Sequence, residues 1–176
     1  MIRLIDYLKC INNGVAIIAG LVLLACVILI LIDILLRELH ISFGGSEEIS
    51  GYVMAAISSW GISYALTTKA HVRIDIIRNK RQPLGRAVFD LTALCATSYV
   101  AVYAAYYVIP VFEKSFKRNS LANTSLETPL IIPQSIWMAG WLWFAVSSCL
   151  LLICALWLMY KKSYQPLNDM IGTETE

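Results

Sequence analysis

Residues 47–75 read EEISGYVMAAISSWGISYALTTKAHVRID. Glu47 and Glu48 open the stretch, a run from Ile49 to Thr68 carries no charged side chain, and Lys69, His71, Arg73 and Asp75 close it. At ~1.5 Å rise per residue, about 20 such residues cover a ~30 Å hydrocarbon core. The stretch predicts a membrane crossing whose most distinctive chemistry lies at its two ends.

Composition points the same way. Of 176 residues, 59% are hydrophobic and 15% charged, with mean hydropathy +0.68, outside the range of an ordinary soluble domain. The net charge of +2 comes from 14 basic and 12 acidic residues lying mostly outside the apolar runs, so it bears on orientation in a bilayer and not on nucleic-acid binding. The five cysteines, Cys10, Cys26, Cys95, Cys149 and Cys154, form no CxxC pair and read as buried small residues.

Upstream, Leu4, Tyr7, Leu8 and Ile11 recur at helical spacing, opposite Arg3, Asp6, Lys9 and Asn13. Residues 1–14 thus predict an amphipathic helix, either interfacial or the first turns of the span that follows. That span, 15–36, is too long for a signal-peptide core and lacks a small-residue exit, so it is expected to remain as an anchor. Its single acid, Asp33, sits one turn before Arg37, and an Asp33–Arg37 pair near the span end is the expected arrangement. Glu38 to Ser46, with Gly44-Gly45, reads as a tight turn.

In the second span, 49–68, Gly51, Ala55, Ser58 and Ala65 share a stripe beside Gly61, as suits close approach of membrane helices. Downstream, 87–109 and 136–160 read as two further spans. Ala93, Thr97, Ala101 and Ala105 line one face of the third, with Tyr99, Tyr103 and Tyr106 opposite, and Pro110 is expected to end or kink it. Trp137, Trp141, Trp143 and Trp157 anchor the fourth. The tail, 163–176, is polar and expected to be flexible.

Lysines and arginines concentrate at Arg3 and Lys9, in the loop Lys69 to Arg86, and at Lys161 and Lys162. By the positive-inside rule these positions face the cytoplasm. The expectation is an all-α integral membrane protein: one four-helix membrane domain over 15–162 with both termini cytoplasmic.

Catalytic and cofactor signals are absent from this reading. His40 and His71 lie outside the spans, where a haem or quinone anchor would not place them, and a disulfide-generating enzyme would need a CxxC. A proton-coupled exporter would want a carboxylate deeper than Asp33 or Asp90. His71 and Asp75 offer two metal ligands at most, too few for a site.

Taken together, Arg37 closing span one, Glu47-Glu48 opening span two, Trp60-Gly61 within it, the His71-Val-Arg73-Ile-Asp75 exit and the later Thr124-Ser125-Leu126 to Pro133 and Trp137 approach resemble the small membrane subunit of tripartite ATP-independent periplasmic (TRAP) transporters. The resemblance covers essentially the whole chain through the order and spacing of short motifs. It implies a bacterial or archaeal inner-membrane protein, partnered by a large sodium-coupled permease subunit and a periplasmic substrate-binding protein, in uptake of organic acids such as C4-dicarboxylates or sialic acid. It also implies that the small subunit scaffolds the large one, which holds the sodium. Arg37, Glu47, Glu48, Trp60, Gly61, His71, Arg73 and Asp75 are then candidates for structure and partner contact. A redox-complex anchor and an autonomous small exporter are the competing readings, disfavoured by the missing span histidines and the missing deep acid.

Overall fold

The computed structural model describes residues 2–41, 44–70 and 83–161. The expected exit of span two, His71, Arg73 and Asp75 included, and the polar tail lie outside the described residues. Four long helices make up nearly everything that is described: α1 (Ile2–Glu38), α2 (Ser46–Thr67), α3 (Pro83–Arg118) and α4 (Ile131–Tyr160).

Three of them, within Ile5–Glu38, Leu84–Arg118 and Ile131–Tyr160, are long and apolar enough to cross a membrane. Four such spans were expected, and α2 falls short. Its length suffices, but Glu47, Glu48 and five serines dilute its apolar residues. The physical reason is position. Because α2 packs against both α1 and α4, much of its surface meets protein and not solvent or lipid, so it need not be apolar all round.

The amphipathic segment runs without a break into the first span, making α1 a single 37-residue helix. Among the described side chains of residues 1–14, Leu8 and Asn12 are buried, whereas Tyr7 and Ile11 are exposed. Pro110 does not stop α3, which continues to Arg118 with Phe112 and Phe116 stacked at 6.3 Å between ring centroids. Pro133 sits in the first turn of α4, where a missing N–H breaks no intrahelical bond.

Helices α1, α2 and α3 stop in the same way. His40, Lys69 and Asn119 take positive φ (59°, 59° and 45°), and the residue directly after each donates back five residues: Ile41 to Leu36, Ala70 to Ala65 and Ser120 to Ser115. This closure satisfies carbonyls that a helix end leaves open.

In space the order is α1, α2, α4, α3. The apolar core lies between α4 and its neighbours, with Leu94, Ala101 and Ala105 of α3 and Leu66 of α2 packed among Phe144, Ala145, Leu151 and Ala155. Small residues set the closest approach. A Cβ on Gly140 would stand 2.4 Å from Ser59 Oγ and 3.0 Å from the Ser59 carbonyl carbon, so only glycine lets α4 lie this close to α2.

Candidate functional site

Two polar clusters tie the helices together. The first is at the α1–α2 turn. Asp33, 2% exposed, accepts a hydrogen bond from Arg37 Nε at 2.9 Å and one from Ser46 Oγ at 2.6 Å, so a carboxylate inside an apolar helix has a cation and a hydroxyl on it. The Arg37 guanidinium also reaches Glu47 at 3.7 Å. Arg37 therefore links the last turn of α1 to the first turn of α2.

Glu48, one residue on, is held by the loop that enters α4. Tyr52 donates to its Oε1 at 2.7 Å, Thr124 to its Oε2, and Thr128 and the Leu126 backbone N–H bond it as well. These donors, the Thr124 hydroxyl foremost, lower its pKa from 4.5 to about 2. Beside it, Ser125 Oγ donates to the Gly44 carbonyl, and the Leu126 side chain fills the space a Cβ on Gly45 would need. Gly44 itself has φ +69°, a left-handed turn conformation suited to glycine. The loop is braced internally by Ala122 N–H to Thr128 O (2.9 Å) and Leu130 N–H to Ser120 O (3.0 Å).

The second cluster was not anticipated from sequence. Asn12, 1% exposed, donates from Nδ2 to the Ser63 carbonyl and to Thr67 Oγ1, both at 3.2 Å, and its Oδ1 accepts from Trp143 Nε1 at 2.7 Å. Because the carbonyl only accepts and the indole N–H only donates, these partners fix the amide orientation. Three helices meet on one side chain. The available signal was an asparagine at i+4 from the buried Leu8, but Asn13 beside it made the face ambiguous.

Of the other predicted residues, Trp60 reaches across to α4, donating from Nε1 to the Ile136 carbonyl at 3.0 Å. Gly61 has open space where a Cβ would point. Gly51, Ala55 and Ser58 are exposed, and Ala65 is half-buried; the face of α2 that meets α1 and α4 is formed by Ser59, Ser63, Leu66 and Thr67. On α3, Ala101 and Ala105 are buried, Thr97 is half-buried and Ala93 is exposed. Tyr99 is exposed and stacks on Tyr103, with ring centroids 6.1 Å apart.

Among the described residues, no three His, Cys, Asp or Glu side chains converge as metal ligands. The arrangement joins helix to helix and loop to helix end.

Comparison with known families agrees with the motif order. Residues 26–165 match the family described as tripartite ATP-independent periplasmic transporters, DctQ component. No curated protein matches the chain.

Proposed function

The chain belongs to the DctQ-component family of tripartite ATP-independent periplasmic transporters, a transporter component and not an enzyme, and from that premise we propose that it scaffolds a large sodium-coupled permease subunit. The assembly takes up an organic acid delivered by a periplasmic binding protein, in the inner membrane of a bacterium or archaeon. The large subunit holds both sodium and substrate. Both termini are cytoplasmic, and α2 is a fourth crossing.

One observation carries this reading: buried polar groups join parts of the chain to one another. Asn12 fastens α1 to α2 and α4, Asp33 fastens the α1–α2 turn, and the Ser98 hydroxyl donates to the Ser148 carbonyl between α3 and α4. A sodium-coupled carboxylate site instead gathers oxygen ligands and interrupted helix ends near the midplane. The outward surface of α1 is apolar for most of its length, and the exposed Gly51, Ala55 and Ser58 offer a small-residue track for another helix. The cluster at Glu47 and Glu48 opens α2 and orients it for that contact, and the role proposed for His71, Arg73 and Asp75, which follow α2 in sequence, is to serve the same contact.

Reconstitution tests the division of labour. Liposomes holding this subunit alone are expected to take up nothing under an inward sodium gradient with binding protein and substrate outside, and adding the large subunit is expected to restore uptake. Sodium-driven uptake by the small subunit alone would overturn the scaffold reading.

A further inference from the structure

Between α1 and α4, floored by α2, lies an open groove of about 450 Å³. Val15, Ile18 and Val22 form one wall, Val53 and Ile57 the floor, and Ile132 begins the other wall. The Asn12–Trp143 hydrogen bond draws α1 and α4 together just beyond Val15, closing one end. At the opposite end stand Tyr52 and Thr128, the lining side chains that also bond the Glu48 carboxylate. The groove is an open apolar slot with an acid at its mouth.

Its dimensions favour one kind of occupant. From Tyr52 to Trp60 along α2 is about 12 Å at ~1.5 Å per residue, close to the ~15 Å depth of a single leaflet. Over that length the lining is almost wholly apolar, which suits one extended hydrocarbon chain. The walls give water no polar partners, so an unfilled slot would forfeit dispersion contacts along both sides.

Charge selects the headgroup. At the mouth, Glu48 is fully ionised at neutral pH, Glu47 is exposed, and Glu127 belongs to the same loop, while Arg37 is already paired with Asp33. Lys114, Lys117 and Arg118 are on α3, on the far side of α4. An anionic headgroup would meet excess carboxylate there, and a primary ammonium would be attracted.

We propose that this groove is a phospholipid site, taking one acyl chain between α1 and α4 with an ammonium-bearing headgroup, as in phosphatidylethanolamine, against the Glu48 carboxylate. The site is independent of the scaffold role, and either can fail without the other.

The test uses the intact complex in native membranes, supplied with phosphatidylethanolamine or phosphatidylglycerol carrying the same photoreactive acyl chain, with adducts mapped by mass spectrometry. Phosphatidylethanolamine is expected to label Val53, Ile57 and Ile132 several-fold more than the outward-facing Leu21 and Leu24, and phosphatidylglycerol is not. Glu48→Gln is expected to abolish the difference between the two lipids while chain labelling in the groove persists; should that variant fail to accumulate, the two-lipid comparison in the unaltered protein decides. Equal labelling by both lipids, or groove labelling no higher than at Leu21 and Leu24, would mean ordinary surrounding lipid and overturn the proposal. So would a photocrosslinker placed at Ile57 that captured the large subunit or a second copy of this chain in place of lipid.

Discussion

The Trp143 indole N–H donates to Asn12 Oδ1 at 2.7 Å across 131 residues of sequence, where Asn12 also holds Ser63 and Thr67 of α2. In an apolar surround such a bond replaces an unsatisfied amide, and measured side-chain bonds between membrane helices run from ~0.6 to ~2 kcal/mol. Asn12→Leu is expected to destabilise the isolated subunit by about 1–2 kcal/mol and Trp143→Phe by about 1 kcal/mol, read from denaturant titration in detergent. Because the pair shares one bond, the double variant should lose less than the sum of the two. Strict additivity would remove Trp143 from the cluster.

Gly140 makes a steric prediction. With a Cβ only 2.4 Å from Ser59 Oγ and 3.0 Å from backbone, Gly140→Ala forces α2 and α4 apart and is expected to cost about 1–3 kcal/mol. Gly51→Ala and Gly61→Ala meet open space and are expected to leave stability unchanged or slightly raised. Equal losses at all three positions would mean that the α2–α4 crossing is not what Gly140→Ala disturbs.

Glu48 supplies a pH prediction. Its folded pKa, about 2, lies below the ordinary 4.5, so its contribution is fully present above pH 4.5 and is lost as pH falls through about 2. A carbon-13 carboxyl titration in detergent should place its midpoint near 2, and Thr124→Val together with Thr128→Val should move it up toward 4.5. A midpoint near 4.5 in the unaltered protein would mean that the loop does not grip the carboxylate.

Whether α2 crosses the bilayer is open to direct labelling. In a cysteine-free background, Glu47→Cys is expected to react with an impermeant thiol reagent from outside intact cells, while Ala70→Cys reacts only after the membrane is opened. Both positions labelling from one side would show that α2 does not span.

The exposed small-residue track separates folding from assembly. Ala55→Leu and Ser58→Leu point away from the chain's own helices, so the purified subunit is expected to keep its stability while copurification of the large subunit falls several-fold. Unchanged copurification would move the partner contact to another face.

Much of this architecture is legible in the chain because charge and apolar length set helix ends. The uncharged runs mark α1, α3 and α4, and Arg37 one turn after Asp33 announces their pair. What the runs do not reveal is rotation about a helix axis. On α2, Gly51, Ala55 and Ser58 form one small-residue stripe and Ser59 and Ser63 another; size alone cannot say which meets α4, and Gly140 on the opposing helix decides it. The apolar spacing of Tyr7 and Ile11 suggested a buried face, but Asn12 takes that place because its hydrogen bonds outweigh its polarity. Thr124, Ser125 and Leu126 stand out as a motif, yet their grip on Glu48 depends on a loop folding back across 76 residues, which no local pattern encodes.

That long reach also sets an order of synthesis. Asp33 can meet Ser46 once the first hairpin has been made, and Asn12 can then find Ser63 and Thr67. Its amide oxygen must wait for Trp143, and Glu48 must wait for Thr124. A chain cut short before Thr124 therefore sits in the bilayer with the Asn12 acceptor unmet at one end and the Glu48 carboxylate held by Tyr52 alone at the other, so truncated products stay open to quality-control proteolysis until the loop and the final helix arrive.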